Sequence, residues 1–81
     1  MSMLRVLSSE GDTRYEWNVA AVTAGDAEAE SAVREAERIF KAARHAGSTA
    51  FSVTPGRAPV RIDRFDQTAE QIILVPRIVG G

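Results

Sequence analysis

The sequence predicts an α+β fold in which one mixed sheet of about five strands is covered by one helix. Short runs at both ends of the chain alternate apolar and polar residues, the pattern of half-buried strands. Between them lies a long run with apolar residues every three or four positions, the pattern of an amphipathic helix. A chain of 81 residues has the size of one small domain.

The N-terminal part predicts a β-hairpin. Residues 3–8 and 13–18 both alternate, and the link between them contains Gly11, a residue typical of turns. In the second strand Tyr15 and Trp17 fall on the same face. Two alternating runs joined by a short glycine-containing link favour an antiparallel pair, and we expect both aromatic residues to be core or sheet-face residues rather than a ligand platform.

A long amphipathic helix is predicted next. Thr23 or Asp26 could cap its start, and Gly47 is a suitable residue for its end. The residues of its apolar stripe are small except near the carboxyl end, which favours close packing on a sheet. They are Ala29, Ala32, Val33, Ala36, Ile39, Phe40 and Ala43.

Three more strands are predicted in the second half. They cover residues 49–54, the stretch around Val60 and Ile62, and residues 71–75. The polar link 66–70 has room for one helical turn. The last strand contains four consecutive apolar residues, which indicates a strand covered on both faces or a central strand. The element order is therefore ββαβββ, and a parallel pairing of the first and last strands would make it a β-grasp arrangement.

Composition excludes several functional classes. The chain has no cysteine and a single histidine, so neither disulfides nor a multi-histidine metal site is expected. A net charge of −1 argues against nucleic-acid binding. The longest apolar runs are four residues, far short of the roughly 20 that a membrane span needs. With no secretory signal recognised, a cytoplasmic location is the simplest expectation.

The strongest functional signal is the end of the sequence. The predicted last strand runs into Pro76-Arg77-Ile78-Val79-Gly80-Gly81. Glycine has no side chain, so a segment that ends in two glycines could enter a narrow enzyme channel with its terminal carboxylate. A partner enzyme can bind the residues before them in an extended conformation through main-chain hydrogen bonds. We therefore expect a domain over 1–75 and a flexible tail over 76–81.

These features resemble those of the ubiquitin-like β-grasp proteins. The segment from Ile72 to Gly81 is similar to the endings of bacterial sulfur carriers of molybdopterin and thiamine synthesis, and to those of bacterial ubiquitin-like modifiers. The resemblance implies that the Gly81 carboxylate is adenylated, that Gly80 gives access, and that the residues before them line the activating enzyme's channel. These channel residues would be Arg77, Ile78 and Val79.

The resemblance also implies which partners act on the chain. The partners would be an adenylating enzyme that uses ATP, a conjugating enzyme or protease, and target proteins. The chain would be their substrate rather than an enzyme, and it would bind no cofactor itself. We expect a protein modifier, because the aromatic hairpin favours partner recognition. The alternatives are a sulfur carrier with a C-terminal thiocarboxylate and a non-conjugated β-grasp interaction module.

Lysine content bears on the choice between modifier and carrier. Lys41 is the only lysine, against nine arginines. It is therefore the one candidate side-chain acceptor for isopeptide-linked chains, besides the N-terminal amine. A sulfur carrier needs no lysine, so the low count favours that alternative to some extent.

Overall fold

The computed structural model describes residues 1–77 and has an α+β architecture. Its strands are β1 (Ser2–Ser8), β2 (Gly11–Trp17), β3 (Thr49–Val53), β4 (Val60–Ile62) and β5 (Gln71–Val75). Its helices are α1 (Val19–Thr23) and α2 (Ala27–His45). The prediction of one sheet and one main helix is confirmed, and α1 is an additional element that the sequence analysis did not predict.

The five strands form one mixed sheet in the order β2-β1-β5-β3-β4. The first and last strands pair in parallel, with Leu4 opposite Ile72 and Val6 opposite Leu74. The other three pairings are antiparallel. The predicted central position of β5 is therefore confirmed, since it lies between β1 and β3.

Helix α2 covers one face of the sheet, which we call the inner face. Its buried residues Val33, Ala36 and Phe40 belong to the predicted apolar stripe. They pack against inner-face residues of four strands and against one residue of the loop before β5. The buried partners are Leu4, Trp17, Ala50, Ala69, Ile72 and Leu74.

Local signals explain where α2 begins and ends. Asp26 is the N-cap, and its side chain accepts a hydrogen bond from the Ala29 amide at 2.9 Å. Thr23, the other candidate cap, instead ends α1. Gly47 follows the C-cap with a φ of +99°, a left-handed conformation that glycine adopts readily.

The hairpin aromatics lie in the core as predicted. Trp17 is buried, and its indole Nε1 donates to the carbonyl oxygen of Gln67 at 2.9 Å. Its ring lies 5.4 Å from the ring of Phe65, centroid to centroid. Tyr15 is partly buried against the same cluster. These aromatic side chains are therefore structural, and they give no support to the expectation that the hairpin recognises a partner.

The link between β4 and β5 is a turn rather than a helix. Asp66 Oδ1 accepts hydrogen bonds from the amide and the hydroxyl of Thr68, at 2.9 and 2.6 Å. The Ala69 amide then donates to the Asp66 carbonyl at 3.1 Å, which closes a single turn. This turn places Ala69 in the core, so the link anchors the start of β5.

Candidate functional site

The chain leaves the sheet at a defined place. The last residue of β5, Val75, pairs with Thr49, the first residue of β3. The short α2–β3 turn, residues 46–48, directly precedes Thr49 along the chain and therefore borders this exit. Because β1 runs parallel to β5, the β1–β2 hairpin turn also lies at this end of the sheet. Pro76 and Arg77 follow β5 here, and both are exposed.

Most of the predicted tail lies outside the described residues. The calls on Ile78, Val79, Gly80 and Gly81 concern positions beyond Arg77, so they stay predictions. Arg77 itself is described, and its side chain lies against the α2–β3 turn. A Cβ placed on Gly47 would stand 3.2 Å from Cδ of Arg77.

The sheet face away from α2, the outer face, carries an apolar groove. The groove has a volume of about 350 Å³, and the residues that line it are all apolar. They come from β1, β3, β5 and the loop before β4, and they are Leu7, Phe51, Val53, Pro59, Ile73 and Val75. Since Val75 is both part of the groove and the last residue of β5, the groove reaches the point where the chain leaves the sheet.

Charged groups lie on the same face beside the groove. Asp12 forms an ion pair with Arg5 on the neighbouring strand β1 at 2.9 Å and with Arg14 on its own strand β2 at 3.2 Å. The hydrogen bond from Arg5, helped by that from Arg14, holds the pKa of the Asp12 carboxyl below its usual value. On the other side, Arg61 pairs with Phe51 and is exposed. The groove therefore has cationic groups on both flanks, and the two on β1 and β2 are both paired with the Asp12 carboxylate.

Lys41 is accessible as the candidate acceptor requires. It lies on α2, its side chain is 73% exposed, and its ammonium stands 3.7 Å from a carboxylate oxygen of Glu37. An exposed ion pair of this length costs little to break, about 0–1 kcal/mol. The Lys41 ammonium is therefore accessible from solvent.

The groove was not found by the sequence analysis. The strand predicted over residues 49–54 has Phe51 and Val53 on one face, but the sequence does not indicate whether that face is turned toward the helix. Ala50 is the buried residue of β3, at 0% exposed, and the two larger side chains face away from the helix. The available signal was the four-residue apolar run of β5, since a strand apolar on both faces must present Ile73 and Val75 opposite the core.

Within residues 1–77, the side chains form no metal-binding group, and no helix is long and apolar enough to cross a membrane. His45 is exposed in the last turn of α2. Comparison with protein-family models, with curated proteins and with solved structures finds no match. The assignment of function therefore depends on the sheet, the groove and the sequence of the tail.

Proposed function

We propose that this chain is a ubiquitin-like modifier of the β-grasp type, whose Gly81 carboxylate is activated by a partner enzyme and transferred to a target protein. The observation that carries the proposal is the position of β5. It is the central strand, it pairs in parallel with β1, and it is followed by Pro76 and Arg77 and, in the sequence, by Ile78, Val79 and the diglycine. The strand order β2-β1-β5-β3-β4 is compatible with a β-grasp fold.

The chemistry needs only a free carboxylate from this chain. A carboxylate oxygen of Gly81 attacks the α-phosphorus of ATP, and pyrophosphate leaves. The acyl adenylate is then attacked by an amine, thiol or hydroxyl, which loses a proton, and AMP leaves. The chain is a substrate in both steps, and the partner supplies the nucleotide site. The proposal holds whether Gly81 is the native terminus or is exposed by a protease.

The groove supports this proposal because it offers the partner a surface beside the tail. A carboxylate must be held near the nucleotide while it reacts, and binding of the body supplies part of that positioning. The six apolar residues of the groove are accessible without unfolding, and the groove ends at Val75, two residues before Arg77. Docking there would direct the tail toward the enzyme's active site.

The activation can be tested by intact-mass spectrometry. The chain is incubated with ATP and with an adenylating enzyme encoded in its gene neighbourhood. We expect an enzyme-bound adenylate or thioester of the full chain, and no product when Gly80 and Gly81 are deleted. If the full chain and the truncated chain give the same result, the proposal is wrong.

Lys41→Arg separates the modes of attachment. The variant keeps the positive charge and removes the one lysine amine. If chains are built through Lys41, only single attachments will remain. Chains that persist would indicate linkage through the N-terminal amine or a hydroxyl.

The sulfur-carrier alternative predicts a different product. Sulfide from a donor would displace AMP, and Gly81 would end in a thiocarboxylate. Intact mass would then increase by the difference between sulfur and oxygen. A persistent thiocarboxylate with no attachment to protein would favour the carrier over the modifier.

The apolar groove also favours a second function, a non-conjugated interaction module. In that case Phe51→Ser would abolish partner binding, whereas deletion of Gly80 and Gly81 would leave it unchanged. Val60→Ser is the matched control, because Val60 is a large apolar residue that is 61% exposed and lies outside the groove lining.

A further inference from the structure

The side chain of Arg77 rests on the backbone of the α2–β3 turn. A Cβ added to Gly47 would lie 3.2 Å from Cδ, 3.6 Å from Cβ and 4.0 Å from Cγ of Arg77. Carbon atoms pack best at about 3.5–4.0 Å, so a methyl group there would crowd the arginine. The absence of a side chain at Gly47 therefore makes room for the aliphatic part of Arg77.

The turn that receives Arg77 is held firmly by hydrogen bonds. The amides of Gly47 and Ser48 donate to the carbonyls of Arg44 and Ala43, at 3.0 and 2.9 Å. Arg44 Nη1 donates to the Ser48 carbonyl at 2.8 Å, and its Nη2 donates to Asp63 at 3.1 Å. The contact surface for Arg77 is thus fixed to α2 and to the end of β4.

We propose that the backbone at Gly47 is the contact surface for the aliphatic part of the Arg77 side chain, and we call this surface the seat. We propose further that this contact sets the direction in which the tail leaves the domain. This inference rests on the proposed function and deepens it. Arg77 is then a positioning residue that stays with the body of the protein, and not one of the channel residues that the resemblance implies. Only the four residues beyond it enter the channel of the activating enzyme, a length that spans at most about 14 Å when fully extended.

The chain offers a matched control for Gly47. Gly56 also has a positive φ, +76°, but a Cβ at Gly56 would meet no atom within 4 Å. Gly47→Ala and Gly56→Ala therefore introduce backbone strain of the same kind, and only the first one crowds Arg77. Arg77→Met keeps an unbranched side chain that can fill the seat, whereas Arg77→Ala removes it.

The direction of the tail can be measured in solution without any enzyme. The sequence contains no cysteine, so a nitroxide can be attached at one chosen position through His45→Cys or Ser9→Cys. Both positions are exposed: position 45 is the last residue of α2, directly before the α2–β3 turn, and position 9 lies in the β1–β2 hairpin turn. We expect the label at position 45 to broaden the Ile78 amide resonance more than the label at position 9.

The variants should change this difference in a defined pattern. Gly47→Ala and Arg77→Ala should abolish it, whereas Gly56→Ala and Arg77→Met should preserve it. A difference that is unchanged in Arg77→Ala would overturn the inference. If Gly47→Ala fails to fold, the comparison of Arg77→Ala with Arg77→Met gives the same decision.

The effect on activation is measured by ATP–pyrophosphate exchange. In Arg77→Ala the tail must be ordered when it binds, so we expect KM for the chain to rise about fivefold while kcat is unchanged. Arg77→Met should have the KM of the wild type. A change in KM of about fivefold is equivalent to about 1 kcal/mol. Equal KM values for wild type and Arg77→Ala contradict the inference and leave the proposed function intact. Absence of exchange with the wild type contradicts the proposed function, while the resonance broadening still decides the position of Arg77.

Discussion

The two faces of β5 are expected to have different roles, and two substitutions in this strand test the difference. Leu74 is 1% exposed on the inner face, whereas Ile73 is partly exposed in the groove. Leu74→Ala removes buried methyl groups and leaves a cavity beneath α2, which costs about 3 kcal/mol. Ile73→Ala loses partly solvated area and leaves no enclosed cavity, so we expect about 1 kcal/mol.

Urea denaturation followed by far-UV circular dichroism measures this difference. A domain of this size unfolds with a slope of about 1 kcal/mol per molar urea. The midpoint should therefore fall by about 3 M for Leu74→Ala and about 1 M for Ile73→Ala. Binding to the activating enzyme should show the opposite order, since only Ile73 lines the groove. Equal midpoint shifts, or a greater loss of binding in Leu74→Ala at temperatures where it is folded, would refute the assignment of the two faces.

Three further predictions concern stability. Trp17→Phe should cost about 2 kcal/mol in thermal unfolding, because the Gln67 carbonyl loses its hydrogen-bond donor in a partly buried place. Asp26→Ala should cost about 1 kcal/mol by the same measurement, because the Ala29 amide loses its cap. The pKa of Asp12 is lowered in the folded protein, so its contribution to the free energy of unfolding is complete above its unfolded pKa of about 4. This contribution is lost as the pH falls through the lower folded pKa, and the urea midpoint should therefore be lower at pH 3 than at pH 6.

Each of these has a control. Tyr15→Phe keeps the ring and should change stability by less than about 0.5 kcal/mol. Asn18→Ala removes the cap of the five-residue helix α1 and should cost less than loss of the α2 cap. Asp12→Asn should reduce the difference between the urea midpoints at the two pH values. An unchanged difference in that variant would show that other carboxylates cause it, with Glu35 the next to examine because its hydrogen bond to Arg38 also lowers its pKa.

The strands and the main helix could be predicted because their signals are local. The limits of β5 follow from the polar residues before it and Pro76 after it, and the prediction of residues 71–75 is confirmed. The stripe on α2 is confirmed for the same reason, since helical periodicity determines which residues share a face. The parallel pairing of β1 with β5, which the sequence analysis stated only as the condition for a β-grasp arrangement, is present in the sheet.

Of the features that were missed, helix α1 had a local signal, whereas the groove and the contact between Gly47 and Arg77 depend on tertiary structure. Residues 19–22 are one of the four-residue apolar runs that the sequence analysis judged too short for a membrane span, and in the structure Asn18 caps a helix there by accepting a hydrogen bond from the Ala21 amide. The seat at Gly47 could not be predicted, because Arg77 is 30 positions away in sequence and meets it only once β5 is paired with β3. The groove could not be assigned to a face until the register of β3 was known.

Intact-mass analysis of the activation reaction tests the central claim most directly. With ATP and the adenylating enzyme of its gene neighbourhood, the full chain should form an acyl adenylate or a thioester through Gly81. The chain without Gly80 and Gly81 should fold equally well and remain unmodified. A full-length chain that binds the enzyme through its groove but keeps its original mass would contradict the account.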